Sequence, residues 1–403
     1  MKRIMKWLRA PFTLPLAALL VIAARLARRW GVFIRFGVLL SGRVGHLIGN
    51  TDVHLCEKAE GKHSWGKRTY DIWTHHGTPA NTQAAKMIAR VLTVWPKAIV
   101  MPALVINKMF KGWQAHEVLN YTHDRDPSNL MDKYHPWLKF TDAEKRQGEE
   151  TLRKWGLSAG AQWVCLMVRD DAYLPHLGYH RFRDSDIDTY ADAALKLAER
   201  GYYVFRMGAK VRKPLPEHVV KHKRVIDYAT DGKCSDFMSM YLMSRCAFCL
   251  STSTGMDAAA IAFRRPMAYV NFLPLEYLPT WIPSLAIWKH HYKDGKRMTP
   301  SEVFDCKAGM FLTAEEFEFH KVSWQDNTPE EITSVAMQMA DIVDGKASFP
   351  TWQEQSWFWK EFPNSVDPVA GEQLHGRVRM RIGSAFIESY RELQCSTENA
   401  SSA

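Results

Sequence analysis

Two facing Rossmann-like domains, each built on a parallel sheet, are what this sequence predicts. Three observations predict them. A chain of 403 residues is long for one hydrophobic core, so length favours two domains. Short apolar runs repeatedly stop at polar or glycine-rich turns, the mark of buried strands ending at a sheet edge. Between Trp163 and Phe272 such runs alternate with helical patterns, which requires a parallel sheet joined by crossovers.

Composition narrows the partners. With 46% hydrophobic and 24% charged residues the chain is of globular type. The net charge of +10 is spread among carboxylates, with no basic arm and no nucleic-acid signature. Anionic lipid or a phosphorylated substrate accounts for the same excess. Seven cysteines, an odd number without framework spacing, indicate a reducing compartment. Cys165 and Cys249 fall inside apolar runs as core thiols. Cys246 and Cys249 have zinc-knuckle spacing, yet no second pair follows.

Residues 1–30 stand apart. Lys2, Arg3, Lys6 and Arg9 precede the apolar run Pro11 to Ala24, which leads into Arg25, Arg28 and Arg29. Fourteen residues fall short of the ~20 that a spanning helix needs, and the arginines disfavour cleavage and export. Basic residues on both sides fit a membrane-interface segment on the cytoplasmic face of the inner membrane, anchored by Trp7 and Trp30. The alternative is a helix packed on the protein's own surface.

Residues 31–145 read as the first Rossmann-like domain. Val32 to Leu40 is a strand, Ser41 to Gly45 a glycine-rich turn, and a helix follows. A second such unit runs through Tyr70 to Trp73 and Asn81 to Val91, with short strands at Val91 to Val94 and Ala98 to Val100. Neither G-x-G-x-x-G nor a P-loop is present. Residues 146–350 read as the second domain, entered through a helix from Asp142 to the glycine stop at Gly156. Strand 163–168 leads into a polar loop, a helix from Ser185 to Arg200, and strands at Tyr202 to Gly208 and Val225 to Tyr228. A capped helix at Ser235 to Met243 precedes the last two strands. The aromatic, proline-rich stretch after Phe272 reads as a lid or a second lipid contact. Residues 351–395 are expected to be helices packing back across the cleft, and 396–403 a disordered tail.

In an open α/β sheet ligands bind beyond the carboxyl ends of the strands. Arg169, directly after a buried strand, is a forked donor suited to a diphosphate; the plainer alternative is a salt bridge to Asp170 or Asp171. Arg206 ends another strand and has a similar claim. Ser251, Thr252, Ser253, Thr254 and Gly255, with Asp257 opening the next helix, form a hydroxyl-rich turn of phosphate size, or else an ordinary turn. Asp227 and Tyr228 would flank a nucleobase, or else pack a loop. His46, in the first glycine-rich turn, is suited to deprotonate an acceptor hydroxyl, or else is held by backbone. Asp170 and Asp171 are rival bases. No metal site is indicated, because no D-x-D follows an apolar strand at this edge.

These residues carry a resemblance. Val168-Arg169-Asp170, Tyr179 to Asp184, Phe205 to Gly208, Val225 to Tyr228, Leu250 to Asp257, Phe263 to Asn271 and Arg43 to Leu47 resemble a family of bacterial glycosyltransferases of surface-glycan loci. The likeness spans residues 31 to 390. More distantly the chain is similar to the fucosyltransferase-like superfamily with GT-B architecture, in which an arginine after the first strand of the C-terminal domain grips the donor diphosphate. Arg169 occupies that place. Here the strand ends Val-Arg-Asp-Asp rather than in a His-x-Arg-x-x-Asp pattern, which speaks against a fucose-type donor. The turn containing His46 is similar to the first loop of lipid-linked sugar transferases.

The resemblance implies transfer of a sugar from a nucleotide diphosphate donor to a glycan or lipid-linked acceptor in polysaccharide biosynthesis; inversion, and transfer without a metal or other cofactor, are expected alongside it. A nucleotide-binding membrane scaffold and a nucleotide-sugar isomerase are the rival readings.

Overall fold

A computed structural model describes residues 2–62, 68–118, 125–173, 178–368 and 371–401, with side chains described only within 13–396. The chain divides into two compact units, Met1–Arg125 with Leu130–Thr141, and Asp126–Asn129 with Asp142–Ala403. The boundary thus falls just ahead of Asp142, at the start of the predicted entry helix.

In the first unit β1 (Val32–Leu39) pairs in parallel with β2 (Arg68–His75) along eight residues, and β3 (Thr93–Val94) adds to the far side of β2. The register sets Arg35 opposite Asp71, and burial makes them pair: Arg35 Nε lies 2.7 Å from the carboxylate, which Lys58 also reaches at 2.9 Å. Gly37 is required by close approach, since a Cβ there would meet the Trp73 ring at 2.6 Å.

Helix α1 (Lys2–Ala27) is part of this unit rather than a separate segment. Its residues Ala17, Val21 and Ala24 are buried in one cluster with Phe36 of β1 and Ile72 of β2. The side chains of Lys2, Arg3, Lys6, Trp7 and Arg9 lie outside the described ones. Helices α2 (Val44–Ala59) and α3 (Thr82–Ile88) follow their strands as anticipated; Asn81 caps α3 by accepting from Ala84 N.

Ala98 to Val100 is not a strand. It opens α4 (Lys97–Lys108), whose buried positions Val100, Ala103, Leu104 and Asn107 have helical spacing. Ala98 to Val100 is only the start of a longer apolar run, Ala98 to Ile106, over which that period shows.

The second unit opens with α5 (Asp142–Lys154) and is built on a seven-stranded parallel sheet. Its first six strands are β4 (Trp163–Met167), β5 (Tyr203–Met207), β6 (Val225–Ile226), β7 (Phe248–Ser251), β8 (Met267–Phe272) and β9 (Ser284–Trp288). Helices α6 (Ala191–Arg200), α7 (Glu217–Val220), α8 (Asp236–Arg245) and α9 (Asp257–Ala262) connect them. The predicted helix from Ser185 begins later, because a 3-10 turn at Ile187–Tyr190 precedes α6. Gly201 ends it in the left-handed conformation at φ 116°.

The stretch after Phe272 is neither lid nor lipid contact. Leu275, Leu278, Trp281 and Trp288 are buried, and the segment supplies β9 to the sheet. Its aromatic side chains form core: Trp288 stacks on Phe358 at 5.2 Å between ring centroids. A small antiparallel sheet follows, made of β10 (His290–Lys293), β11 (Lys296–Arg297) and β12 (Val322–Gln325), with α10 (Pro300–Asp305) and α11 (Ala314–Phe319). Helix α12 (Pro329–Val343) starts with a full capping box between Thr328 and Glu331. Then α13 (Ser356–Glu361) leads to β13 (Arg381–Ile382), which pairs with β9 and makes the strand order β13-β9-β8-β7-β4-β5-β6. The last helix, α14 (Ser384–Ser401), continues past the point where the sequence reads as a disordered tail.

Among the described residues no helix is long and apolar enough to cross a membrane.

Candidate functional site

The carboxyl ends of β4 and β7 lie side by side, because Met167 pairs with Ser251. That register brings two predicted site segments together. Arg169 N donates to Thr252 Oγ1 at 2.8 Å, and Thr252 N donates to Met167 O at 3.1 Å. Arginine and hydroxyl turn therefore share one edge of the sheet.

The guanidinium of Arg169 pairs through Nε with Asp184 at 3.2 Å, not with Asp170 or Asp171. Both side chains are partly exposed, at 21% and 27%, so the pair can open to solvent or to a ligand. Burial raises the Asp184 carboxyl above its ordinary range, against the pull of Arg169. Two further cations reach this place. Arg183 donates to Ser253 O at 2.8 Å. Lys289, with 1% of its side chain exposed, donates to Asp184 O at 2.6 Å and pairs with Asp326 at 2.7 Å. Burial lowers the Lys289 ammonium, and Asp326 opposes that shift.

The turn itself is organised from within. Asp257, 4% exposed, accepts from Ser251 Oγ at 2.7 and 2.9 Å, from Thr254 N at 2.8 Å and from Thr254 Oγ1 at 3.0 Å. Two of the four hydroxyls are thus directed inward, and Thr252 Oγ1 is engaged by Arg169. The predicted row of hydroxyls facing an anion is not what the turn presents. Ser253, held at φ 64°, is partly buried and accepts from Arg183 through its carbonyl and its hydroxyl. Burial pushes the Asp257 carboxyl up to about 6, and the Ser251 and Thr254 hydrogen bonds hold it from rising further.

Beside this edge lies a cavity of about 370 Å³ lined by Asp170, Asp171, Asp184, Asp186, Arg206, Arg212 and Asp326, among others. Most of its carboxylates are paired with cations, Asp171 with Arg212 Nε at 2.8 Å, Asp186 with Lys213 at 2.6 Å, Asp184 with Arg169 and Asp326 with Lys289, whereas Asp170 accepts from the backbone of Ala172 and Arg212. Such a lining offers cations to phosphate oxygens and carboxylates to sugar hydroxyls.

Other predicted residues play different parts. Arg206 is buried at 1% exposure and pairs with Asp227 at 3.3 Å, while Asp227 also accepts from Leu215 N at 2.8 Å. This pair braces the β5 and β6 ends, although Arg206 also lines the cavity. Tyr228 does not present a face to a nucleobase. It is fully buried, tilted against Trp155 at 5.8 Å, and its hydroxyl donates to Ser235 O at 3.1 Å. Gly255 lies in the turn ahead of α9. His46 belongs to the first unit, half-buried in the first turn of α2, with Nδ1 buried and unbonded among the described residues.

Four residues of the cluster were not foreseen: Arg183, Asp184, Lys289 and Asp326. Lys289 carried a usable signal, a charge directly after the apolar run Leu285 to Trp288, the same pattern that exposed Arg169.

No family model and no curated protein matches the chain. Among solved structures it is similar to the glycosyl transferase family 9 from Veillonella parvula DSM 2008, at 11% identity over 76% of this chain and 97% of that one, with a TM-score of 0.46. It is also similar to E. coli ADP-heptose lps heptosyltransferase II, at 13% identity over 76% of this chain and 100% of that one, TM-score 0.42. A UDP-GlcNAc 2-epimerase from Neisseria meningitidis shares 12% identity over 75% and 82%, TM-score 0.26.

Proposed function

We propose that the protein is a glycosyltransferase that moves a sugar from a nucleotide diphosphate donor to a glycan or lipid-linked acceptor. One observation supports this above the rest: Arg169, at the carboxyl end of β4, is hydrogen-bonded by its backbone to the β7 turn while its guanidinium rests on a single, partly exposed carboxylate. A diphosphate would replace Asp184 at Arg169 with a bidentate partner of higher charge. Lys289 and Arg183 add positive charge on the same edge, and together they would stabilise the charge that develops as the glycosidic bond breaks. The carboxylates of the cavity suit the hydroxyls of the sugar.

Transfer would proceed without a metal and with inversion. His46 is the preferred base for the acceptor proton, because the alternative, Asp171, is held by Arg212. We place the enzyme peripherally at the cytoplasmic face of the inner membrane, where lipid-linked acceptors are presented.

The test is turnover by purified protein supplied with a panel of nucleotide sugars and a membrane-lipid extract as acceptor source. Release of nucleoside diphosphate is expected with one donor, and Arg169→Ala should lower it by roughly two or more orders of magnitude with an unchanged circular dichroism spectrum. Near-normal turnover in that variant would remove Arg169 from the mechanism.

A further inference from the structure

Helix α1 is apolar on both faces. From Leu14 to Ala24 it carries no polar side chain. One face, Ala17, Val21 and Ala24, is buried against the sheet. The other holds Leu16, Leu19, Ile22 and Leu26, and Leu19 is 63% exposed. A helix hydrophobic all round has an apolar environment on each side, yet among the described residues nothing covers this second face.

Helix α4 has the same arrangement. Val100, Ala103 and Leu104 join the cluster that receives α1, so both helices lie on the sheet face carrying Phe36 and Ile72. Away from the sheet, Val105 and Met109 are 64% and 79% exposed. The carboxyl ends of the two helices are fastened together: Arg25 donates to Asn107 Oδ1 at 2.9 Å and lies 4.7 Å over the Phe110 ring. The two helices therefore pack side by side, and each exposes apolar side chains away from the sheet.

Charge indicates the occupant. No Asp or Glu occurs before Asp52, and none between Asp71 and Glu117. Arg28, Arg29 and Lys111 are exposed at the joined helix ends, beside Trp30 at 76% exposure. Lys108 also lies there, 3.3 Å from Glu117. An apolar face rimmed by arginine, lysine and tryptophan complements an anionic lipid surface, in which the rings sit at headgroup level.

We infer that α1 and α4 together form a docking face that lies in the plane of an anionic phospholipid surface. It lies on the surface without crossing it. This deepens the peripheral placement proposed above and depends on no step of sugar transfer, so vesicle binding and donor turnover can fail separately.

The full chain is tested by flotation with vesicles of phosphatidylcholine alone and with added phosphatidylglycerol. Binding is expected to the anionic vesicles and to weaken as salt rises. Leu19→Ser combined with Met109→Ser changes only exposed side chains, and should reduce binding by roughly tenfold or more at an unchanged melting temperature. Arg28→Glu with Arg29→Glu should remove the preference for anionic lipid. Absence of vesicle binding, or equal binding by the Leu19/Met109 variant, would overturn the inference. So would a dimer in light scattering that this variant dissociates while wild type ignores vesicles, since the face would then be a contact between copies of the chain.

Discussion

Asp257 draws the Ser251 and Thr254 hydroxyls inward, and this decides how the β7 turn behaves. Its carboxyl titrates near 6 when folded against an ordinary 3.8, so the folded protein holds this proton more firmly than the unfolded chain. The stabilising effect is present below 3.8 and is lost as pH rises through about 6. Relative to Asp257→Asn, the wild type should gain about 2 kcal/mol between pH 7 and pH 4. Urea unfolding of both proteins at the two pH values measures it; a constant difference would mean the carboxyl is not so perturbed. At Arg169 the expected change concerns affinity. Asp184→Asn removes the resident carboxylate, so nucleoside diphosphate should bind several-fold more tightly by calorimetry. Weaker binding would show that Asp184 positions the arginine instead. The place of Arg169 was legible because an apolar run ending abruptly in charge marks a sheet edge. The direction of the hydroxyls was not, because it depends on a carboxylate one helical turn further on. The sequence left Tyr228 open between nucleobase and packing for a related reason: a strand end shows in sequence, but the side of the sheet on which a ring is buried does not.

Elements were legible where their period was long enough to show. The alternation that yields β4 to β8 was plain, since each strand is a nearly continuous apolar run between polar turns, as a sheet buried on both faces requires. Helix α4 and strand β9 were hidden by composition. A short β-branched start disguised the first, and prolines and tryptophans disguised the second. Helix α5 offers a test of close packing that the sequence did not advertise. A Cβ on Gly148 would lie 2.2 Å from the Tyr241 ring, which is held by hydrogen bonds to Lys145 O and Arg245. Gly148→Ala should therefore destabilise the protein by about 1–3 kcal/mol despite alanine's better helix propensity. Thermal melting checks this, and an unchanged midpoint would mean that the ring swings aside freely.

At the scale of the molecule, ligand effects should concentrate on one sheet edge. A matching nucleoside diphosphate should raise the melting temperature by mass action. It should also slow amide exchange in residues 168–171, 183–185 and 251–254, leaving β1 and β2 unaffected. Protection elsewhere would relocate the donor site.

The seven-stranded sheet also has a temporal side. Its outermost strand, β13, comes from residues 381–382, and α14 then brings Phe386 and Tyr390 onto Trp288. During translation β9 lacks its neighbour on that side until residues 381–382, nearly a hundred positions later, have been made. A chain stopped before residue 381 would keep that adhesive border permanently, and would be a substrate for aggregation or proteolysis.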